Sequence, residues 1–393
     1  MGPIATLLVR ELTARGHSLE VVTSHPHYPG PLWGQRLRPY CERRDGIPVY
    51  RLPLWIGHRT AAQRIREEVT YVASTALAAP LFSTPDVFVA VSPAFLALGP
   101  IAVSARLRRA PLVIWLQDVF PDAAATTRLL ENRVALRTAQ ALERAAYAAA
   151  DQIVVISETF KENLVQKGVP EDKVVRIYNP ATRGLRPPLD RRTAVEPPRL
   201  LSVGNIGYSQ GLVELVRAFE RSEAAESLRL VLAGTGELAD AVRAEIRSEQ
   251  VEMLGLVDDR RLDDELDRAA LALVSQRGDI EEFNLPSKLM TLMGRGLPVL
   301  ASVGARSEAA RIVSASGGGW VTDSARPEEA VRLAAGVVRE PEELRARGAA
   351  ALEFAREHFS PEGMAERFER VLDEVTAGSP GARTCSPHGP RGG

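Results

Sequence analysis

Residues 199–219, RLLSVGNIGYSQGLVELVRAF, place an apolar run, a glycine-bearing turn and an apolar stripe in direct succession. Leu200 to Val203 suit a buried strand, and Leu212, Leu215, Val216 and Phe219 fall on one helix face. A strand that enters a helix through glycines is half of a βαβ unit. Toward the C-terminus the alternation repeats through LRLVLAG, VEMLG, LALVS, LPVLAS and GGWVTD, with amphipathic segments between them. Toward the N-terminus, strand candidates at 19–23, 47–52, 86–91, 112–116, 152–156 and 174–178 form an earlier series. The pattern predicts an α/β protein with two doubly wound parallel sheets, helices covering both faces. NPATRGLRPPLDRRTAVEPPRL, residues 179–200, is rich in proline and charge, lacks an apolar period and reads as a linker. The expected organisation is an N-terminal Rossmann-like domain at 1–180, a linker at 181–198 and a second Rossmann-like domain at 199–360. A C-terminal helix is expected at 361–378, announced by SPEGMAERFERVLDEV, and a disordered tail at 379–393.

Composition narrows the function classes. A chain of 393 residues is long enough for two or three domains, and 45% apolar content, 25% charged content and a net charge of -1 describe a soluble globular protein. No nucleic-acid partner is expected from that charge. Cys41 and Cys385 fit neither a disulfide framework nor a zinc site, which suits a reducing, cytoplasmic setting. Residues 69–103 are apolar but are interrupted by Pro80, Pro85, Asp86 and Pro93, so they lack the roughly 20 uninterrupted apolar residues of a spanning helix. A buried helix–strand–helix is the expectation. A peripheral membrane contact through Tyr71, Leu77, Leu81 and Phe82, with Arg64 and Arg66 at the headgroups, is the alternative.

The chain opens on MGPIATLLVRELTARG, where Ile4, Leu7, Leu8 and Leu12 share a helix face and Gly16 stops the helix before a strand at Leu19 to Val22. A βαβ fold places a strand before that helix, so the expectation is a domain without its first strand, through a misplaced start or a truncated gene.

Several residues could carry chemistry. In the 199–219 stretch, Gly204, Asn205 and Gln210 lie where free N–H groups of a helix N-terminus can meet an anion. LVLAGTGEL repeats the arrangement with Gly234 and Gly236, glycines that permit a ligand to approach the backbone, and Gly255 closes VEMLG in the same way. SQRGDIEEFNLPSKLM follows a further strand: Asn284 or Ser287 can cap a helix with Pro286 near its start, leaving the Ser287 and Lys288 N–H groups and the Lys288 ammonium to meet a diphosphate. Glu281 and Glu282 can bind sugar hydroxyls. In the first half, TSHPHYPG and IWLQDVFPD end strands, which offers His25, His27, Tyr28 and Asp118 to orient an acceptor or manage a proton.

GNIGYSQGL, LAGTGE, EFNLPSK and GRGLPVLAS together resemble the retaining family-4 glycosyltransferases of GT-B architecture. TSHPHYPG, WLQDVFPD, VVISETFKENLVQKGVPEDKVVRIYNP and the Pro-Ser-Lys motif resemble the subgroup that builds bacterial surface polysaccharides, fucosamine and colanic-acid transferases among them. The likeness spans residues 2–376. It implies two Rossmann-like domains facing a central cleft, and transfer of a hexosyl or N-acetylhexosaminyl group from a nucleoside diphosphate sugar. It further implies a glycan or polyprenyl-linked acceptor at the inner membrane face, no metal and no cofactor beyond the nucleotide sugar. Carried over by motif, the donor site comprises Gly2, Gly204, Asn205, Gln210, Gly234, Gly236, Gly255 and the run Asn284, Leu285, Pro286, Ser287 and Lys288. Asp118, Glu281, Glu282 and Lys288 are the implied catalytic residues, and His25, His27, Tyr28 and Asp118 the acceptor residues.

Departures accompany the resemblance. Asn205 and Gln210 occupy places where many members carry arginine and lysine, and Thr291 stands where a second glutamate is usual. A non-catalytic nucleotide-binding remnant and a sugar-nucleotide epimerase of the same architecture therefore stand as rivals. An NAD-dependent oxidoreductase lacks its G-x-G-x-x-G fingerprint in either half.

Overall fold

The computed structural model describes residues 2–26, 38–56, 61–79, 83–92, 97–118, 133–186, 197–277 and 285–378. They divide into two compact units: Met1–Ile156, Phe160–Ile177 and Ala365–Gly393 form unit 1, and Ser157–Thr159 with Tyr178–Met364 form unit 2.

Unit 1 begins with α1 (Pro3–Ala14), which Gly2 caps through its carbonyl, accepting from the Thr6 N–H and hydroxyl at 3.0 Å. Pro3 at the first helical position loses nothing, because that N–H has no intrahelical acceptor. No described strand precedes α1. β1 (Val21–Ser24), β2 (Tyr40–Arg44) and β3 (Ile47–Leu52) form one sheet in the order β1-β3-β2, with β1 parallel and β2 antiparallel to β3. β4 (Phe88–Val91), β5 (Leu112–Leu116), β6 (Gln152–Val155) and β7 (Val174–Arg176) form a second, all-parallel sheet in chain order. β1 and β4 thus each end their sheet, and among the described residues no strand pairs with the outer edge of either.

The β2–β3 hairpin is a departure from the expected parallel pattern. Asp45 and Gly46 turn the chain with φ of 52° and 80°, the paired left-handed conformations that suit an Asp-Gly hairpin. YCERR has no apolar period because β2 is an outer strand with exposed side chains, so periodicity missed it, although Asp-Gly was there to be read.

The described parts of 69–103 are helix, strand and helix in the expected order, falling in α2 (Ala61–Ala78), β4 and α3 (Leu98–Arg108), but Val69, Leu77 and Val103 are exposed, so the expectation of a buried segment is corrected. Among the described residues no helix is long and apolar enough to cross a membrane. The last helix, α13 (Pro361–Ala377), contributes its later turns to unit 1. Phe368 meets Trp115 of β5 edge-on with ring centres 4.9 Å apart, and Glu369 binds His17 at 2.9 Å and Arg15 at 3.2 Å.

Unit 2 is one six-stranded parallel sheet of β8 (Arg199–Val203), β9 (Arg229–Ala233), β10 (Val251–Gly255), β11 (Leu271–Ser275), β12 (Val299–Val303) and β13 (Gly319–Asp323), in the order β10-β9-β8-β11-β12-β13. The inner strands β8, β9, β11 and β12 are buried on both faces, which is why they read as continuous apolar runs, while the outer β10 and β13 are only partly buried. Leu200, Leu230, Leu271 and Leu300 pack with Val216 and Phe219 of α6 (Leu212–Glu220) and Val331 and Ala334 of α11 (Pro327–Val337). On the other face, Leu201, Val231, Val274 and Ala301 pack with Leu289 and Met293 of α9 (Ser287–Gly294), Ile312 of α10 (Glu308–Ser316) and Ala355 of α12 (Pro341–His358). Burying each leucine is worth about 2 kcal/mol. The remaining helices are α4 (Arg133–Ala149) and α5 (Glu158–Gln166) after β5 and β6, and α7 (Ala239–Glu245) and α8 (Asp259–Arg268) after β9 and β10.

The strand order of unit 2 reverses between β8 and β11. Ligands of open parallel sheets bind beyond the carboxyl ends of the strands at such a reversal. The turns after β8, β9 and β11 are therefore where a site belongs.

Candidate functional site

The two glycine turns interlock. Beyond the strand ends, Gly204 N–H donates to the Ala233 carbonyl and Ile206 N–H to the Thr235 carbonyl, both at 2.9 Å, and Leu238 N–H donates to the Ile206 carbonyl at 3.0 Å. A Cβ at Gly234 would collide with the Gly204 carbonyl oxygen, and one at Gly236 would lie 2.5 Å from the Asn205 Oδ1 and the Ile206 carbonyl. The expectation that Gly234 and Gly236 clear space for a ligand is corrected here: the backbone they admit is that of the neighbouring turn. Gly255 differs. Its φ of 69° demands glycine, yet no atom lies within 4 Å of a Cβ there.

Gln210 also has a structural task. Its Oε1 accepts the Gly207 N–H at 3.0 Å and its Nε2 donates to Ser209 Oγ at 2.9 Å, closing the turn on itself. A lysine ammonium has no acceptor and could not do the first. The Asn205 side chain lies against Gly207, where a Cβ would be 2.6 Å from its Nδ2.

Positive charge reaches this turn from a residue that the sequence reading did not single out. Arg277 follows β11, directly across the reversal from β8. Its N–H donates to the Ser209 carbonyl at 2.8 Å, and its guanidinium lies 4.1 Å from the Tyr208 ring centre and 3.7 Å from the Glu214 carboxylate. Strand order was the signal that could have found it, because a residue just past β11 must sit beside the turn after β8.

Helix α9 carries the Pro-Ser-Lys motif. Pro286 holds the N-cap position with ψ of 113°, and no side chain caps the helix. Ser287 is the first helical residue rather than the cap, a correction that follows from proline's own restriction on the residue before it and its fixed φ. Leu285 is buried and pins the helix start, Ser287 is exposed and Lys288 is half-buried. At the far end the buried Arg295 binds Asp263, with Asp267 at 3.6 Å, tying α9 to α8. Asn284, Glu281 and Glu282 lie outside the described residues.

In unit 1, Gly2 is the N-cap of α1 with open space around its Cα. His25 is buried just past β1, its N–H donating to the Leu52 carbonyl at 3.0 Å and its ring 5.2 Å from that of Tyr40. Asp118 is half-buried just past β5. Both follow carboxyl ends of strands. His27 and Tyr28 lie outside the described residues, as do most of the linker and the whole tail. The linker's first residue, Ala181, is packed in the core of unit 2.

Comparison with known proteins agrees with this arrangement. Residues 1–180 match the family described as "Glycosyl transferase 4-like domain", and residues 190–354 that described as "Glycosyl transferases group 1". The protein named "Putative colanic acid biosynthesis glycosyl transferase WcaI" of Escherichia coli K12 is 24% identical over 392 residues, covering 92% of this chain and 93% of that protein. The probable glycosyltransferase WbjE of Pseudomonas aeruginosa is 26% identical over 234 residues, covering 56% of this chain and 58% of that protein. Among solved structures, a sucrose-phosphate synthase from Thermosynechococcus elongatus superposes with a TM-score of 0.70 at 17% identity, covering 95% of this chain and 93% of its own. HepE of Anabaena in complex with UDP superposes with a TM-score of 0.62 at 17% identity, covering 84% and 87%. The fold is that of the GT-B glycosyltransferases.

Proposed function

Because the chain belongs to the family-4 glycosyltransferases, a 4-like domain followed by a group 1 domain, we propose that it transfers a sugar from a nucleoside diphosphate sugar to a glycan acceptor during bacterial polysaccharide assembly. The observation that carries the donor half is the gathering of the Gly204 and Gly234 turns, Arg277 and the N-terminus of α9 at the strand-order reversal of unit 2. The first-turn N–H groups of α9, which no side chain caps, lie there with the Lys288 and Arg277 cations, and a diphosphate is the ligand that uses both. The colanic acid relative supports the polysaccharide setting, and HepE, a protein of this fold crystallised with UDP and with UDP-glucose, makes uridine nucleotides the first to try.

The barrier in such a transfer lies in expelling the diphosphate. The bond from the anomeric carbon to the phosphate oxygen breaks, the bond to the acceptor oxygen forms, and the acceptor proton passes to the departing phosphate. Attack from the face the diphosphate leaves retains configuration, needs no carboxylate at nucleophile distance and uses no metal. Lys288, the first-turn N–H groups of α9 and Arg277 stabilise the charge that develops on the phosphate. Glu281 and Glu282 hold sugar hydroxyls, while Asp118, His25, His27 and Tyr28 orient the acceptor. Helix α2 supplies a peripheral membrane contact for a polyprenyl-linked acceptor at the cytoplasmic face: Leu77 is 80% exposed, and Arg66 lies 4.4 Å from the Trp55 ring centre.

A silent nucleotide-binding remnant is the second reading, favoured by the structural use of Gln210. Calorimetric titration with UDP, GDP and dTDP, on the chain as it stands and as Lys288→Ala, tests the proposal. One nucleotide should bind and weaken by more than about 1 kcal/mol in the variant. Product analysis with the matching nucleotide sugar then separates transfer from mere binding.

A further inference from the structure

Unit 2 has a concavity beside the donor turns, most of whose lining the roles above leave unused. A cleft of about 640 Å³ lies between α6 and the start of α11, floored by the ends of β11 and β12 and sharing only Gln210, Gly211 and Arg277 with the donor turns. Its volume suits a small ligand.

The floor carries polar groups without partners. Ser275 Oγ, Gln276 Oε1 and Ser324 Oγ are buried and make no hydrogen bond, and Ser275 and Gln276 are only 3% and 5% exposed. Buried polar atoms in folded proteins nearly always have partners, so three orphans in one cleft mark a place where a ligand completes the bonding. The rim is basic. Arg217 is paired with Glu245 at 2.7 Å, whereas Arg221 and Arg332 form no ion pair among the described residues.

These features select a chemistry. Gln276 Oε1 only accepts, so it needs a donor, which a carboxylate or a fully ionised phosphate ester cannot supply and a sugar hydroxyl can. The serine hydroxyls suit further hydroxyls, and Arg221 and Arg332 suit one anionic group. No aromatic ring among the described residues lines the cleft, so nothing there stacks a nucleobase. We propose that this cleft binds an anionic sugar, a hexose phosphate or a hexuronate, with its hydroxyls on Ser275, Gln276 and Ser324 and its charge at Arg221 and Arg332. The site adjoins the donor turns through Gln210, Gly211 and Arg277, and the proposal goes beyond the transferase reading.

Glucose 6-phosphate, glucuronate, glucose and inorganic phosphate are titrated into the full chain, alongside UDP. One acidic sugar should bind at least tenfold more tightly than either glucose or inorganic phosphate, and which one it is names the anion. The exposed pair Arg221→Ala/Arg332→Ala should weaken it at least fivefold and leave UDP binding unchanged. Gln276→Met should bring the acidic sugar and inorganic phosphate to within threefold of each other. No binding of either acidic sugar, equal binding of inorganic phosphate or of glucose, or an arginine variant that binds as before each overturns the inference. So does a parallel loss of UDP, which would place the ligand in the donor site. Failure of every nucleotide to bind the unaltered chain bears on the transferase reading alone.

Discussion

The space that a side chain at Gly234 would fill is occupied by the carbonyl oxygen of Gly204. The two turns can cross only because Gly234 carries no Cβ, and Gly234 also holds a φ of 156°. Gly234→Ala should therefore force the turns apart, lowering stability by roughly 3 kcal/mol in a denaturant titration. Nucleotide binding should fall with it. Gly255→Ala, where the conformation alone is strained and the space is open, should cost only about 1 kcal/mol.

Arg199 and Glu265 form a buried pair at 2.7 Å under the start of β8, with Arg261 2.8 Å from the other carboxylate oxygen. Glu265→Ala leaves the Arg199 guanidinium with only the partly exposed Glu252, and should destabilise unit 2 by about 3 kcal/mol. The double change Arg199→Met/Glu265→Leu should recover most of that loss. A double variant as unstable as the single one would show that the pair contributes more than mutual neutralisation.

Acid should loosen the clasp between α13 and the turn after α1. The hydrogen bond from His17, with the charge of Arg15 beside it, holds the Glu369 carboxyl below the usual glutamate range despite the opposing pull of burial. A carboxyl depressed in the folded state stabilises above its unfolded pKa, and that contribution disappears as pH falls through the lower, folded value. Thermal melts of the intact chain should drop across that acidic window, and Glu369→Gln should flatten the drop.

Gln210→Lys separates the structural role of that side chain from an electrostatic one. The variant loses the acceptor for Gly207 N–H, worth about 1 kcal/mol of turn stability, but adds a cation beside the proposed diphosphate. Nucleotide affinity should rise about fivefold at low salt and converge with that of the unaltered chain at high salt. Unchanged affinity at low salt would move the diphosphate away from this turn.

Much of the architecture was legible because parallel strands buried on both faces write themselves as apolar runs: LLSV, LVLA and LALVS each emerged as strands of the central sheet. β2 was not, since YCERR alternates nothing and owes its pairing to the Asp45–Gly46 turn. At the site, Gly204, Gly234 and Lys288 were legible as strand-to-helix punctuation. Arg277 was not, because its place beside Tyr208 depends on which strand neighbours β8, a fact of topology that no local pattern carries. The purpose of Gly236 and Gln210 was hidden for the same reason: a glycine that admits a ligand and a glycine that admits a neighbouring loop look alike in sequence.

The outer edges of β1 and β4 bear on how the protein behaves in a crowded solution. Parallel strands are ordinarily shielded, yet Val89 and Val91 of β4 are each 40% exposed, and among the described residues β1 and β4 each present one edge, a short row of backbone groups, without a partner strand. Copies of the molecule can satisfy one another there, so colloidal stability should decline steeply with concentration. Val89→Lys, a charge at the rim of that row, should keep the protein monodisperse while the six-stranded sheet of unit 2 is left untouched.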